Sequence, residues 1–466
     1  MNSKAKLLAR DTIVFTISNI GSKMIMFFLV PLYTNYLSTE EYGIAELVFT
    51  YAQLILPVVT CMIYDAVLRF GSSQKENLSN VAFCGVVTCF GSSLISFALL
   101  PLMKSSANIG EWGVYLSVYV SICCFYQLLV NYLKVKNKNI VFATVGVIHT
   151  ALLGAFNILY IAVWHQGVRG YILSNIFGTV GAGIVALITS HIISDAKRGK
   201  WDFSLWKRMM AYSSPLILNN IAWWLMHSSD KIMIERMIDN NTLGLYTAAG
   251  KIPSLINVMI SIFSQAWGLS SIREVESESD TSFASSVFKY YSFLVFGAAT
   301  AVLLIIKPFM HIYVGKDFVE AWKFTPLLIS SAVFYAIATY FASMYSALKK
   351  TLNSMWTTIG CAVLNIIINF IGIQIIGPWG AIVGTVVVLM MLALSRMWNI
   401  RKYIKLDIDY KKFTINAVLL LSFAIVVTLD KHTVIASIAA CLLFVLNNID
   451  TFKDVIIQGK KILKRK

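Results

Sequence analysis

The chain is predicted to be an all-α integral membrane protein of about 14 transmembrane helices arranged in two repeated halves. Three observations predict this class. The sequence is 58% hydrophobic and only 13% charged, whereas about a quarter of the residues of soluble domains are charged. Apolar runs of about 20 residues follow one another along the chain, separated by short charged loops. A pattern of polar residues around Gly43 recurs around Gly244, 201 positions later, which indicates an internal duplication.

The transmembrane spans are placed on the apolar runs that are long enough to cross a bilayer. No loop between them exceeds about 20 residues, so no separate extramembrane domain is expected. The predicted spans cover residues 11–36, 42–65, 80–103, 112–133, 140–164, 170–193, 210–232, 244–270, 287–310, 324–348, 356–377, 379–400, 413–430 and 433–449.

The repeat predicts the domain organisation. Because an even number of spans separates the two copies, both enter the membrane in the same direction, as parallel repeats related by an axis along the membrane normal. The glycines at equivalent positions, Gly43 and Gly244, are expected at the hairpin before the second helix of each copy, where glycine lets the chain reverse. The predicted parts are a six-helix lobe over 1–193, a basic linker over 194–209, a second six-helix lobe over 210–400, two appended helices over 401–449 and a basic tail over 450–466.

The net charge of +16 is explained by membrane topology without a nucleic-acid partner. Most Lys and Arg residues lie in alternate loops and in the C-terminal tail, as Lys197 and Arg198 do between the lobes. This positive-inside pattern predicts that both termini lie in the cytoplasm. A basic surface that faces anionic lipid head groups accounts for the excess charge.

The sequence lacks the patterns that are typical of enzymes and metal sites. Gly250-Lys251 resembles the end of a phosphate-binding loop, but Leu245 and Ile252 stand where such a loop needs Gly and Ser or Thr. The six histidines have no metal-ligand spacing, and no nucleophile elbow is present. We therefore expect no catalytic residue, no cofactor and no metal.

Besides the first span, three predicted spans carry polar stripes, in which steps of four and three residues keep the side chains on one face of a helix. A polar stripe is costly in a bilayer unless it faces water or protein, so the stripes predict a polar cavity between helices. The stripes consist of Glu46, Thr50, Gln53, Pro57, Thr60 and Tyr64; of Thr247, Lys251, Ser254, Val258, Ser261 and Gln265; and of Ser213, Asn220, Trp224, His227 and Lys231.

Two lysines within predicted spans are candidate binding residues. Lys23 shares a stripe with Asn19 in the first span, and Lys251 lies on the stripe of the eighth. A lysine that faces lipid costs about 3 kcal/mol on insertion scales, which favours a position facing the cavity. The alternative for each is that the ammonium group snorkels or pairs with a nearby carboxylate. The polar residues expected to line the cavity are Asn19, Gln53, Asn220, Trp224, Ser254 and Gln265.

The acidic residues of the spans are candidate ion-coupling sites. Glu46 heads its stripe as an isolated acid and is interpreted either as an ion or proton site or as a residue of the cavity rim. Asp65 and Arg69 are four residues apart, a spacing that suits an ion pair along one helix. Asp230 belongs to a charged cluster at the end of the seventh span that could form a network at the rim.

Four segments together resemble the central signature of a known family. They are residues 212–216 (YSSPL), 229–234 (SDKIMI), 244–252 (GLYTAAGKI) and 265–267 (QAW), and the loop from Leu37 to Gly43 resembles an earlier motif of the same family. The family is that of the bacterial Wzx-type polysaccharide or O-antigen flippases, in the multidrug/oligosaccharidyl-lipid/polysaccharide exporter superfamily. Together with the span count, the resemblance covers essentially the whole chain.

The resemblance implies a MATE-like bundle of two lobes that opens alternately to the two sides of the bacterial inner membrane. Its implied cargo is an undecaprenyl-diphosphate-linked oligosaccharide for O-antigen or capsule, with membrane lipids, a polysaccharide polymerase and glycosyltransferases as partners. Lys23, Lys251 and Arg69 would then contact the diphosphate, and Glu46, Asp65 or Asp230 would couple transport to an ion gradient.

Other functions remain open at this point. A cation-coupled multidrug exporter of the same fold would have acids dominating its cavity, whereas lysines stand on the stripes here. A lipid II flippase shares the 14-span layout, but its characteristic Pro-Asn-rich motifs are missing from this sequence. A membrane scaffold without transport activity would not need buried polar stripes.

Overall fold

The computed structural model describes residues 24–73, 75–101, 110–276, 282–348, 350–430, 433–454 and 457. These residues are helical almost throughout and contain no β-strand. The helices are α1 Met24–Tyr36, α2 Thr39–Val59, α3 Ile63–Gly71, α4 Leu78–Ala98, α5 Gly113–Val135, α6 Asn139–Asn157, α7 Gly167–Ser190, α8 Ile192–Arg198, α9 Phe203–Met237, α10 Asn240–Ala249, α11 Lys251–Glu276, α12 Ser282–Tyr313, α13 Thr325–Ala347, α14 Thr351–Ile376, α15 Pro378–Asn399, α16 Tyr410–Thr428 and α17 Thr433–Asn447.

The fold is that of a multi-pass membrane protein, as the sequence predicts. Within the described residues ten helices are long and apolar enough to span a bilayer, and the bent pair α10 and α11 makes an eleventh. The described residues of the three remaining predicted spans are also helical. Helices α1 and α17 are shorter apolar helices within the described residues, and α9 is 35 residues long but carries many polar residues.

The helices pack into two compact units. Among the described residues, the first unit holds those up to Ile232 together with Asn240–Gly244, and the second holds Met233–Asp239 and those from Leu245 onward. Most of α9 therefore packs with the helices that precede it. The domain limits of the sequence analysis follow the repeat instead of the packing, and they stay a prediction.

Helix α2 begins with a complete capping box. The Ser38 hydroxyl accepts a hydrogen bond from the Glu41 backbone N–H (3.1 Å), and the Glu41 carboxylate accepts one from the Ser38 N–H (2.9 Å). This reciprocal arrangement satisfies two of the N–H groups that a helix start leaves without partners. The helix thus starts at Thr39, three residues before the predicted span.

This early start changes the role of the paired glycines. Gly43 lies inside α2 and Gly244 inside α10, so the expectation that they sit at hairpins is wrong. A Cβ on Gly43 would overlap the carbonyl oxygen of Asn240, and a Cβ on Gly244 would overlap that of Thr39. Positions 39 and 43 match 240 and 244 at the repeat offset, so residues at equivalent positions contact one another within the first unit. Only glycine permits this approach of two backbones.

The two copies differ in where the corresponding helix is interrupted. In the first copy the chain breaks after α2 and resumes as α3, with Cys61 and Met62 in the left-handed region (φ 48° and 49°). That conformation is strained for residues other than glycine. In the second copy the chain bends by 40° between α10 and α11, around Gly250. A shared sequence pattern therefore leads to two different local structures.

The second unit is organised around α13, the most deeply buried of the described spans. Arg396 of α15 reaches the interior here and is only 2% exposed. Its guanidinium donates to the Ala338 carbonyl (2.9 Å), to the Thr358 (2.8 Å) and Thr357 (3.2 Å) hydroxyls, and to both oxygens of Ser354 (3.2 Å each). These five bonds join α13, α14 and α15.

Candidate functional site

The polar stripe of α9 packs against α2 and the break that follows it. The Trp224 indole N–H donates to the Thr50 carbonyl oxygen (2.9 Å), and the Ser213 hydroxyl donates to the Met62 carbonyl oxygen (3.3 Å). Near the other end of the stripe, the Lys231 ammonium group lies 3.2 Å from a Glu46 carboxylate oxygen. Two of the predicted stripes thus face each other within the first unit.

The break after α2 supplies part of this contact. Pro57 lies within α2, and the helical hydrogen-bond pattern stops three residues later. The Thr60 hydroxyl donates to Leu56 O (2.7 Å) and accepts from the Met62 N–H (3.3 Å), which ties the break to the helix before it. The turn presents the Met62 carbonyl to α9. Broken helices with accessible backbone groups are a recurrent way to build sites in transporters.

Glu46 is the centre of the candidate site. Its side chain is 10% exposed, and the carboxylate accepts hydrogen bonds from the Tyr171 hydroxyl (2.9 Å) and the Lys231 ammonium (3.2 Å). Tyr33 packs edge-on against Tyr171, with ring centroids 4.7 Å apart, and its buried hydroxyl has no hydrogen-bond partner among the described residues. Removing one partner of a buried ion pair exposes the other charge to a large desolvation penalty. The Glu46 carboxylate and the Lys231 ammonium therefore stabilise each other in this position.

Asp230 is buried next to this pair. One of its carboxylate oxygens accepts a hydrogen bond from the Lys231 backbone N–H (2.9 Å). The Asp230 carboxylate thus contacts the Lys231 backbone, whereas the Glu46 carboxylate contacts the Lys231 ammonium group.

The second copy of the stripe has different chemistry. Thr247 occupies the position equivalent to Glu46, and its buried hydroxyl has no partner among the described residues. Lys251 is half-buried at the first position of α11, directly after the bend. The exposed Ser254 hydroxyl donates to the Lys251 carbonyl (2.6 Å), within the same helix. The second copy therefore has no acidic residue at the position that matches Glu46.

Arg69 and Asp65 do not form the ion pair that their spacing suggests. Arg69 is exposed on α3, whereas the half-buried Asp65 carboxylate accepts from the Asn131 amide (3.4 Å). The Asn131 oxygen in turn accepts from Lys134 (3.2 Å). An amide from α5 thus stands between Asp65 and the nearest lysine, and the predicted i to i+4 pair is wrong within the described residues.

The remaining predicted residues are only partly brought together. Gln53 is exposed on α2, and the exposed Asn220 amide donates to the Met62 sulfur (3.3 Å) and to Leu216 O (3.2 Å). The predictions for Lys23 and Asn19, and for the side chain of Gln265, fall outside the described residues.

Sequence reasoning missed Lys231 and Tyr171 as members of the site. Lys231 stands on a polar stripe, so its spacing was a usable signal, but the stripe does not say which helix it faces. Tyr171 is 125 residues from Glu46 along the chain and had no signal in the sequence. Tyrosine in a membrane span is ordinarily assigned to the interfacial aromatic belt.

The fold and its apolar spans define the class as a multi-pass membrane protein. Within that class, the chain belongs to the family described as polysaccharide biosynthesis protein, whose model matches residues 8–268, more than half of the sequence. A Haemophilus influenzae protein named for the Lsg locus is 21% identical over 267 residues, which cover 55% of this chain and 64% of that protein's length. An uncharacterised membrane protein of Methanocaldococcus jannaschii is 22% identical over 85% of this chain and 99% of its own length.

Solved structures show the same fold at low sequence identity. The lipid II flippase MurJ in an inward closed conformation is 15% identical, with a TM-score of 0.68 over 95% of this chain and 100% of its own. An inward-facing multidrug resistance MATE family transporter is 15% identical, with a TM-score of 0.66 over 83% of this chain and 94% of its own. The fold is therefore MATE-like.

Proposed function

We propose that the protein is a flippase that moves an undecaprenyl-diphosphate-linked oligosaccharide across the bacterial cytoplasmic membrane by alternating access. The export would serve surface polysaccharide synthesis, together with a polymerase and glycosyltransferases. Both termini would lie in the cytoplasm, as the charge distribution predicts. The family supports the polysaccharide pathway, and the lipid II flippase supports a lipid-linked cargo for this fold.

The observation that carries the proposal is the Glu46–Lys231 pair on facing polar stripes. Sugars and a diphosphate do not cross hydrocarbon unaided, because moving charged and polar groups out of water is costly. If Lys231 exchanges the Glu46 carboxylate for the diphosphate of the cargo, its positive charge stays compensated during transport. The diphosphate would take the place of Glu46 beside Lys231, while the polyprenyl tail stays in lipid.

Glu46 would couple this exchange to an ion gradient. When the cargo neutralises Lys231, the buried Glu46 carboxylate loses its cation and is stabilised by taking up a proton or another cation. Release of the cargo then favours loss of that cation and return to the ion pair. Asp65 and Asp230 are the further proposed coupling groups, and Lys23, Lys251 and Arg69 are the further proposed contacts of the diphosphate.

Deletion of the gene, with and without a plasmid copy, tests this function. We expect the deletion strain to lose one surface polysaccharide and to accumulate its lipid-linked repeat unit on the cytoplasmic side, measured by mass spectrometry of extracted lipids. The plasmid copy should reverse both changes. Accumulation of lipid II, or drug sensitivity with an unchanged surface polysaccharide, would contradict the proposal in favour of a lipid II flippase or a multidrug exporter.

A further inference from the structure

A polar pocket of about 570 Å³ lies in the second unit, where the first turns of α12 and α16 meet the residues that follow α17. Its volume falls within the range of about 300–1,000 Å³ that is typical of small-molecule sites. None of the residues that line it belongs to the polar stripes, and Glu46 and Lys231 belong to the first unit. The pocket is therefore separate from the candidate site described above.

Seven of the fifteen residues that line the pocket carry a hydroxyl or amide side chain. Helix α12 contributes four serines: Ser282, Ser285, Ser286 and Ser292. The buried amides of Asn416 and Asn448 form the opposite side, and each donates a hydrogen bond to the oxygen of the other (3.2 and 2.9 Å). These amides are fixed by one another, so they present their remaining polar atoms in a defined orientation.

Two buried aromatic rings give the pocket an apolar surface. Phe288 of α12 and Phe413 of α16 line the pocket, with ring centroids 6.4 Å apart and an interplanar angle of 29°. Both rings are at most 6% exposed, so the apolar surface that they offer to the pocket is small. Apolar surface combined with a few convergent polar groups is the general composition of a ligand site.

A buried hydroxyl without a partner indicates that the pocket takes a ligand. Thr451 lines the pocket and is 1% exposed, and its Oγ1 atom has no hydrogen-bond partner among the described residues. Buried polar groups are nearly always hydrogen-bonded in folded proteins. A ligand hydroxyl that enters the pocket would supply the missing bond.

The charges of the pocket restrict the ligand. The carboxylates of Asp407, Asp409 and Asp450 line it, together with the ammonium groups of Lys289 and Lys412. Lys289 is already paired with Asp454, at 2.7 Å. Carboxylates therefore outnumber the available cations, so phosphates and other anions are disfavoured, while hydroxyl and amino groups can donate charge-assisted hydrogen bonds.

We infer that this pocket binds one or two uncharged or amino-bearing sugar residues of the cargo's head group. The presence of a sugar site follows from the pocket alone, and only the assignment of the sugars to the cargo rests on the proposed function. The pocket would read the identity of the glycan, while the lysines of the candidate site would contact the diphosphate.

Saturation-transfer NMR with the full-length protein in lipid nanodiscs tests the site. The probes are the methyl glycosides of glucose, galactose, mannose, rhamnose and N-acetylglucosamine, with inorganic pyrophosphate and methyl glucuronide as anionic comparisons. We expect saturation of at least one uncharged glycoside and no competition by either anion. The absence of saturation for all five glycosides, or competition by pyrophosphate, would overturn the inference.

Matched variants connect binding to the pocket. Ser286→Trp fills the pocket from an exposed position and should abolish the signal, whereas Thr414→Trp, at an exposed position outside the pocket, should preserve it. Thr451→Val removes the buried hydroxyl but keeps its shape, and should weaken binding at least fivefold without lowering thermal stability. Unchanged glycoside affinity in both Ser286→Trp and Thr451→Val would contradict the assignment.

Competition identifies the source of the sugars. The lipid-linked oligosaccharide extracted from the deletion strain should displace the bound glycoside. Failure to displace it would overturn the assignment to the cargo. If the deletion strain exports its polysaccharide normally while glycosides still bind, the proposed function fails and the sugar site stands. If export depends on the gene but no glycoside binds, the proposed function stands and the sugar site fails.

Discussion

Lys231 and Arg396 are both cations within helices, the first half-buried and the second buried, and their surroundings differ in kind. Lys231 pairs with a carboxylate at 3.2 Å, and its side chain is 23% exposed. Arg396 is 2% exposed and makes five hydrogen bonds, all to carbonyl and hydroxyl oxygens. Among the described residues no carboxylate lies within ion-pair distance of its guanidinium.

The difference separates a charge that can change partners from one that cannot. The bonds to Arg396 come from atoms fixed in the backbone or on short side chains of α13 and α14, so they hold the three helices together. The partner of Lys231 is a carboxylate that can be protonated, and the ammonium group is partly accessible. Burial of a cation is therefore poor evidence of function unless its partner can change as well.

The largest effect is expected for Arg396→Lys. Lysine keeps the charge but replaces five planar donors with three, so about two charge-assisted hydrogen bonds of about 1.5 kcal/mol each are lost. We expect a destabilisation of about 3 kcal/mol, seen as a lower melting temperature and lower abundance of the detergent-solubilised protein. The exposed Arg198→Lys is the matched control and should leave both unchanged. If Arg396→Lys is as stable as the wild type, the five hydrogen bonds of Arg396 do not stabilise the fold as proposed.

Lys231→Gln should affect transport more than folding. Glutamine keeps a hydrogen-bond donor for Glu46 but cannot neutralise a diphosphate, so roughly tenfold slower export is expected from the loss of one charge-assisted contact of about 1.5 kcal/mol. Export is measured from surface polysaccharide in complemented deletion cells, normalised to protein abundance. Lys402→Gln, which changes an exposed lysine, is the control. Export at the wild-type rate would exclude Lys231 from the mechanism.

A double-mutant cycle measures the Glu46–Lys231 pair directly. Glu46→Gln alone leaves a buried ammonium without its counter-ion, and the double variant Glu46→Gln with Lys231→Gln removes both charges. We expect the double variant to be more stable than the sum of the single effects predicts, with a coupling of about 1–2 kcal/mol. Additive changes in melting temperature would mean that the two charges do not interact in the folded protein.

The smallest effect concerns the pair of Lys136 and Asp195, which lies outside the membrane spans. Burial acts to raise the pKa of Asp195, but hydrogen bonds from Lys136 and Tyr132 and the positive charges of Lys136 and Arg198 outweigh it and lower the pKa below its usual value of 3.8. The pair therefore stabilises the fold above about pH 4, and this contribution is lost as the pH falls through the lowered pKa. We expect less than about 1 kcal/mol. In Asp195→Asn, the melting temperature should fall less than in the wild type as the pH is lowered. An unchanged dependence of the melting temperature on pH would contradict this.

The helices and their polar faces could be predicted from sequence, because helical spacing is a local property. Glu46, Thr50, Trp224 and Lys231 all stand on predicted stripes, and the structure brings them into contact. Which stripe faces which could not be predicted, since pairing depends on the packing of whole helices. Arg396 was missed because, five residues before Arg401, it resembles a basic residue at the end of a span.

Other errors arose where one pattern has several physical explanations. A glycine at equivalent repeat positions suits a turn and a close helix contact equally well, and only the structure shows that Gly43 serves the contact. The spacing of Asp65 and Arg69 suits an ion pair, but an amide from another helix competes for the carboxylate. Pro57 is the only residue near Cys61 and Met62 whose type indicates a break in the helix.

The reciprocal contact of Gly43 and Gly244 has a consequence for how such proteins could arise. Each copy presents the same kind of small surface to the other, so a single unduplicated copy would carry a surface complementary to itself. A six-helix ancestor could therefore have paired as a symmetric homodimer before its gene was duplicated and fused. On the prediction of a duplication, the two copies have since diverged in charge, with Glu46 in one and Thr247 in the other, and have kept the glycine at the equivalent position.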